Sequence, residues 1–461
     1  MARILLVDFG STYTKLVAVD LDDEIVLGQS KSVTTVDKDI MLGLRRAMER
    51  LTRETGLRES DFDTRLACSS AAGGLRVIAV GLVRELTAEA ASQAALGAGA
   101  RVCKVFAYKL SSAEAKEIDE SAHDLILLAG GTDGGDEEVI LHNARALSEC
   151  ESKAPVVVAG NKVVAQQVAD VLKRSGREVR VASNVMPALG KIDTVPARQA
   201  IRRLYMERIV EAKGLDKAKM WADGTIMPTP AAVLHGAKRL ADGTYEEPGA
   251  GEVMVVDVGG ATTDVHSIAD GRPSRERAIF RGLPEPYAKR TVEGDLGLRV
   301  SAESLLHTVG PKALAEMVGG KCDIGAWVRR LHDNVGFVPT TGEERAVDTG
   351  LGKAAVKQAV FRHVGRLKEI STPSGVFYLQ KGKDLTHVNK VLGTGGIFAH
   401  SEEPRVILEE ALYHDSDPLA LRPKTPRLFV DRSYVLWAVG LLDEVDSDRA
   451  LRILRRYLVE V

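Results

Sequence analysis

Two stretches of this chain share one pattern, and no other feature limits its fold as strongly. They read Val7-Asp8-Phe9-Gly10-Ser11-Thr12-Tyr13-Thr14-Lys15 and Val256-Asp257-Val258-Gly259-Gly260-Ala261-Thr262-Thr263-Asp264. Each follows an apolar run, passes through Asp-x-Gly into a hydroxyl-rich turn and enters a second apolar strand. One such turn alone says little, because Asp and Gly dominate tight turns anyway. Two matched copies, each after an apolar strand and half a chain apart, point to a duplicated strand–turn–strand unit with a shared task.

The chemistry of that unit suits a polyphosphate. Glycine lets the backbone approach an anion closely and adopt positive φ, and successive turn N–H groups make an anion-binding concavity. The hydroxyls of Ser11, Thr12, Thr262 and Thr263 add donors for phosphate oxygens. Asp8 and Asp257, each near the end of an apolar strand, are suited to holding Mg²⁺ directly or through water. Lys15 is placed to neutralise a phosphate oxygen as a point charge. Gly393-Thr394-Gly395-Gly396 ends a third apolar strand, and such a turn offers a flat backbone surface to a base or ribose. By itself it reads equally well as a plain strand–helix connection.

A chain of 461 residues is long enough for about two to four domains. With Lys plus Arg at 62 and Asp plus Glu at 64, it carries no general drive toward nucleic acid or anionic membrane, although a local basic patch fits. Cys68, Cys103, Cys150 and Cys322 form no CxxC pair, so neither a zinc site nor a disulfide framework is expected, and four free thiols suit a reducing compartment. The N-terminal apolar run is too short for a secretion signal, and no apolar stretch approaches the ~20 residues of a membrane span. A cytoplasmic protein without nucleic-acid or membrane partners is the expectation.

The pattern along the chain predicts an α/β fold. Ile4–Val7, Leu16–Val19 and 24–36 predict an antiparallel meander, followed by a helix over 37–55. From 62 to 190, strands at 66–68, 102–106, 125–128, 156–158 and 179–181 alternate with helices such as 163–174, which predicts a largely parallel sheet. Residues 192–240 read as mostly helical, broken near Pro228 and Pro230. The turn-rich Glu246–Gly251 is the expected domain joint, giving domains 1–245 and 246–461, the second with a helical insertion at about 310–370. Strand 388–392 and helices at about 405–412, 433–443 and 448–458 complete the reading.

The order Asp8-x-Gly10-Ser11-Thr12, Asp257-x-Gly259-Gly260-x-Thr262-Thr263, Gly393-x-Gly395-Gly396 resembles the actin, sugar kinase and heat-shock chaperone ATPase superfamily. That resemblance implies two ribonuclease-H-like domains with ATP and Mg²⁺ in the cleft between them. It also implies two phosphate loops and an adenosine loop (Gly393, Thr394, Gly395, Gly396), with Asp8 and Asp257 organising the metal and the attacking water and Thr263 beside them. Residues 125–135 (Leu-Ile-Leu-Leu-Ala-Gly-Gly-Thr-Asp-Gly-Gly), 289–297 and 431–441 narrow the likeness over nearly the whole chain. Together they resemble the glutamate mutase accessory protein family, which is unrelated to the mismatch-repair protein of similar name. This implies an ATP-driven reactivating chaperone for an adenosylcobalamin-dependent mutase, either glutamate mutase or an aminomutase. The rival readings are a small-molecule kinase of the same superfamily and an ATP-binding scaffold without turnover.

Other residues stay open at this level. Thr132 and Asp133 suit either a phosphate-positioning role or a capped strand–helix turn, and Glu293 and Asp295 either a cleft or a solvated turn. Trp221, Trp327 and Trp437 are expected in packing, and His123, His235 and His266 in structural roles. Arg329-Arg330 and Arg449, Arg452, Arg455 and Arg456 are expected on solvated helix faces.

Overall fold

The structure is a computed structural model that describes residues 2–461 except 11, 36–38, 71–74, 213–214, 225, 320–321 and 374, and omits the side chains of 205–206, 208–212 and 215–216. The chain forms two compact units: Met1–Gly73 with Lys217–Arg281 and Glu285–Val461, and Gly74–Asp216 with Gly282–Pro284.

The first unit begins with the expected meander. β1 (Arg3–Phe9), β2 (Tyr13–Asp20) and β3 (Ile25–Val33) are antiparallel, and β4 (Thr64–Ser69) joins β1 in parallel. The helix after β3 is Ile40–Thr55, and the Asp39 side chain accepts from the Met41 N–H and caps it; the start expected at 37 lies outside the described residues.

The second unit holds β5 (Arg76–Gly81), β6 (Arg101–Ala107), β7 (Leu125–Leu128), β8 (Val156–Val158) and β9 (Val179–Val181). All pair in parallel in the order β6-β5-β7-β8-β9, a doubly wound sheet. β7 and β8 are wholly buried, which is why they read as unbroken apolar runs. β5 is the strand that the sequence reading lacks.

The first unit then resumes. β10 (Met227–Pro228) adds to β4, so its first sheet runs β10-β4-β1-β2-β3. β11 (Val253–Val258), β12 (Thr263–Ile268), β13 (Ala278–Phe280), β14 (Ala288–Glu293), β15 (Arg366–Thr372), β16 (Gly375–Lys381), β17 (Lys390–Thr394), β18 (Arg427–Asp431) and β19 (Leu458–Glu460) follow. Its second sheet runs β14-β12-β11-β17-β18-β19, with β14, β12 and β11 antiparallel and β17 and β18 parallel to β11. The two sheets therefore repeat one ribonuclease-H-like plan: meander, then parallel strands beside the first. β13, β16 and β15 make a separate three-stranded sheet. The expected helical stretch is present as Pro311–Val318, Ile324–Asp333 and Gly342–His363.

One core joins the two large sheets. Ile4, Leu6 and Val17 share a buried cluster with Val253, Val255 and Leu392, around the helices Thr229–Asp242 and Leu436–Leu442. The expected joint at Glu246–Gly251 therefore lies inside the first unit, while the interruption of that unit comes at 74–216. Of the C-terminal arginines expected on a solvated face, Arg456 is exposed, while Arg449, Arg452 and Arg455 are half-buried in ion pairs. Arg452 pairs with Glu24 at 2.6 Å and Glu247 at 3.2 Å, Arg455 with Glu247 at 2.8 Å, and Arg449 with Asp22 at 3.1 Å. They fasten the last helix to the β2–β3 turn and to the 246–251 segment. Trp437 is buried, and Trp327 packs edge-on to Phe337 with Arg330 stacked on its ring. Among the described residues, no helix is long and apolar enough to cross a membrane.

Candidate functional site

The two repeated segments fold as matched hairpins. In the first, the Gly10 N–H donates to the Tyr13 carbonyl at 3.1 Å; in the second, the Gly259 N–H donates to the Thr262 carbonyl at 2.9 Å. A Cβ on Gly10 would stand 2.6 Å from the Tyr13 oxygen, so the turn needs glycine there. The ladders place Asp8 opposite Lys15 and Asp257 opposite Asp264.

Both hairpins line one cleft of about 1030 Å³ within the first unit. It is walled by Asp8, Gly10, Thr12 and Lys15 from one side and by Asp257, Gly259, Gly260 and Thr262 from the other, with Gly396 at its edge. Ser11 lies outside the described residues.

The two aspartates differ sharply in their surroundings. Asp8 is buried and saturated: the Thr229 hydroxyl donates to Oδ1 at 2.7 Å, the Lys15 ammonium to Oδ2 at 3.1 Å, and the Cys68 thiol lies 3.7 Å from Oδ1. Burial works against charge on Lys15, but Tyr434 and Asp8 outweigh it and keep the ammonium protonated. Its Nζ also sits 4.1 Å from the Tyr434 ring centre, a cation–π contact. The Asp257 carboxylate accepts no hydrogen bond among the described residues. Burial, then the neighbouring Asp264 charge, pushes it up to about 7 against the opposing pull of Lys15. Asp264 is itself held by Arg290 at 2.6 Å.

These donor sets bear on a divalent ion. No three His, Cys, Asp or Glu side chains form a metal cage among the described residues. Magnesium needs none, since it is commonly held by one or two carboxylates with waters and substrate phosphates. The open Asp257 carboxylate, facing the cleft between two N–H-rich turns, fits that arrangement. Asp8 fits it only in part, because Lys15 and Thr229 already occupy its oxygens.

Four of the expected site residues, Thr263, Gly393, Thr394 and Gly395, do not line the cleft. Thr263 is fully buried and its hydroxyl donates to the Leu296 carbonyl at 2.7 Å, because strand alternation turns it to the face opposite Asp264. Gly393 is a packing glycine, with the Phe398 ring 2.6 Å from where its Cβ would be. Thr394 donates to Asp431 at 3.0 Å in the interior. Gly395, at φ +99°, braces the second hairpin: its Cβ would meet the Val258 carbonyl oxygen at 2.3 Å and Asp257 Oδ1 at 2.9 Å. Glu293 and Asp295 are tied by Arg362 at 2.6 and 2.8 Å and do not line the cleft. Asp133 belongs to the second unit, where it accepts from Asn184 Nδ2 and the Lys162 N–H, both at 3.0 Å.

Four cleft residues escaped the sequence reading. Thr229 and Tyr434 contact Asp8 and Lys15 as above. Arg299 runs beside Gly260 and donates to Asp348 Oδ2 at 2.8 Å, while the buried Asp348 Oδ1 has no partner among the described residues. Tyr434 carried the one local signal, since it lies in the 431–441 motif.

A curated relative, Protein MutL of Clostridium tetanomorphum, is 50% identical over 462 residues and covers all of both chains. Among solved structures, a nucleotide-free diol dehydratase-reactivating factor matches 96% of this chain and all of its own at 11% identity and a TM-score of 0.36. The activator of 2-hydroxyisocaproyl-CoA dehydratase from Clostridium difficile matches 99% and 95% at 11% identity and 0.33. Both structural likenesses are remote. The family model for MutL protein matches residues 4–458, and with the full-length relative it shows that the chain belongs to the MutL family of glutamate mutase accessory proteins.

Proposed function

We propose that the cleft binds and hydrolyses Mg²⁺-ATP, and that the protein uses this cycle to reactivate an adenosylcobalamin-dependent mutase, glutamate mutase or an aminomutase, by releasing damaged cobalamin. One observation carries the nucleotide reading: two turns of the same construction, one from each large sheet, face a single cleft and bring one saturated and one open carboxylate to it. Family membership carries the mutase reading.

In this proposal the N–H groups of the Gly10–Thr12 and Gly259–Thr262 turns hold phosphate oxygens from two sides, with the Thr12 and Thr262 hydroxyls beside them. Lys15, kept cationic by Asp8 and Tyr434, neutralises developing charge on the transferred group. Asp257 would hold the ion or its water shell, and Asp8 would steer Lys15 and, through it, the ion's phosphate side. The metal, when bound, supplies charge neutralisation at the β- and γ-phosphates. Asp257, open to the cleft, would also orient an attacking water. Gly396 at the rim and Gly395 behind the second turn set where the nucleoside lies. ATP- and ADP-bound forms that bind the partner unequally would couple turnover to release.

The test is ADP formation by the purified protein with Mg²⁺, together with ATP-dependent recovery of a previously inactivated mutase. ADP that appears only when a small hydroxylated compound is added would overturn the chaperone reading in favour of a kinase. The absence of any turnover, with ATP still bound, would favour a scaffold.

A further inference from the structure

The three-stranded sheet β13-β16-β15 stands apart from the two large sheets of the first unit. Only Leu367 and Gln380 are buried in its three strands. A small sheet ordinarily needs an apolar face packed on something to be stable. The ladder register shows what its open face carries. Ile279 pairs with Leu379 and Leu379 with Lys368; Phe377 pairs with Ile370; Lys381 pairs with Arg366. Residues opposite each other in a ladder share a face, so Ile279, Leu379, Phe377 and Ile370 form a contiguous apolar strip. Ile279 is 56% exposed, and Lys368 and Lys381 stand at the strip's border.

Charge around this strip is one-sided. Residues 272–281 carry four arginines against Glu276 alone, and 366–381 add Arg366, Lys368 and Lys381 against Glu369. Arg366 is neutralised by Asp417 at 2.8 Å. Lys368 and Lys381 have no ion-pair partner among the described residues. The chain as a whole is slightly acidic, so this is a local concentration of positive charge. It is also held in place. Arg277 adopts left-handed backbone at φ +59° and lies over Phe377, with its Nη1 2.8 Å from where a Cβ on Gly375 would be. Glycine at 375 is what admits the guanidinium there. Backbone strain of this kind persists only where the surroundings enforce it.

We infer that this face is a protein-docking surface and that its occupant is an acidic, apolar-centred patch on the partner enzyme of the proposed function, on which the inference rests. An apolar centre with a charged rim is the composition of a protein interface, and the basic rim selects an acidic partner. Nucleic acid fits less well: Phe377 is the strip's one aromatic ring, Arg277 lies over it at 6.0 Å, and the aliphatic remainder offers bases no stacking plane.

The experiment compares the full-length wild type with Lys368→Glu/Lys381→Glu and, separately, Ile279→Asp. All of these residues are exposed and none lines the nucleotide cleft. ATP turnover is measured alone. Complex formation and ATP-dependent recovery are measured with purified glutamate mutase and with an aminomutase, each inactivated beforehand. Both variants are expected to keep ATP turnover within about twofold and to lose recovery and complex formation by about tenfold or more, with wild-type association weakening as salt rises. Variants that recover the mutase as well as wild type does overturn the docking surface alone. A wild type that recovers neither mutase overturns the mutase reading and the docking surface with it. Unchanged recovery alongside lost self-association, or lost binding to a DNA duplex, assigns the face to a second copy or to nucleic acid and overturns the inference.

Discussion

Lys15 and Asp264 hold the same register position in the two matched hairpins, Lys15 opposite Asp8 and Asp264 opposite Asp257. The duplication thus preserves the aspartate and inverts the charge facing it. Lys15 gives Asp8 a direct ion-pair partner, whereas burial and then the Asp264 charge oppose ionisation of Asp257. Arg290 compensates Asp264 but leaves the Asp257 carboxylate without a donor among the described residues. One half of the site is internally satisfied, and the other is left open for what enters the cleft.

This asymmetry separates two substitutions that a motif comparison treats as equivalent. Asp8→Ala strips Thr229 and Lys15 of their acceptor and should cost about 3 kcal/mol of stability. Asp257→Asn removes an unpartnered carboxylate and should leave the urea midpoint unchanged or raised. Both should lower Mg²⁺-ATP turnover by about a hundredfold or more. Parallel urea unfolding and ADP release measure this, and an Asp257→Asn protein as unstable as Asp8→Ala would contradict the reading.

The helix pair joining the two large sheets makes a second demand. A Cβ on Gly440 would stand 1.8 Å from the Ala232 carbonyl oxygen, and one on Gly236 2.6 Å from that of Leu436. Both contacts are with backbone, so no rotamer change relieves them. Gly440→Ala should separate the helices and cost about 1–3 kcal/mol, read as a lowered urea midpoint. A neutral result would mean that the helices can slide apart without loosening the shared core.

The hairpins were legible in the sequence because a carboxylate after an apolar strand, followed by glycine, is a local signal, and repetition doubled it. The register inversion was legible too, since Lys15 and Asp264 end the two matched segments. Thr229, Arg299 and Asp348 were not, because each is brought to the cleft from an element without a motif of its own. Gly395 was legible as a turn glycine, but its approach to Asp257 was not, because that depends on β17 lying beside β11. The second unit escaped as a unit because its strands look like any buried parallel strand, and composition does not change at its borders.

Two buried histidines make stability depend on pH. His266 is fully buried, and neither ring nitrogen has a hydrogen-bond partner among the described residues. Burial, then Arg290, holds it well below the usual histidine range. Burial, then Lys289 and Lys383, does the same for His363, whose ring contacts the Ser267 and Thr291 hydroxyls at 2.8 and 2.9 Å. The folded protein keeps both neutral, while the unfolded chain binds a proton at each below pH about 6.5. Stability is therefore fully present above that pH and falls as pH drops, by up to about 1.4 kcal/mol per unit for each histidine. His266→Leu should remove roughly half of this acid-side slope. Urea midpoints measured from pH about 7 down to about 5.5 test it, and an unchanged slope would mean that His266 is not held neutral.

Asp348 gives the sharpest test of the nucleotide reading. Its Oδ2 is used by Arg299, but Oδ1 is buried in the cleft wall without a donor among the described residues. An unsatisfied buried acceptor costs about 1–3 kcal/mol, and a ligand that donates to it recovers that cost on binding. The ribose hydroxyls and the adenine amino group are the donors that ATP presents. Asp348→Asn keeps the shape and an oxygen for Arg299 but removes the charge that makes the acceptor strong. It should shift the urea midpoint little and weaken ATP binding about tenfold, the equivalent of one charge-assisted hydrogen bond. Calorimetric titration of both proteins with ATP and with its 2′-deoxy analogue then locates the donor. Equal loss with both places it on the base or the 3′-hydroxyl, a loss confined to ATP places it on the 2′-hydroxyl, and unchanged affinity for either would remove Asp348 from the nucleotide site.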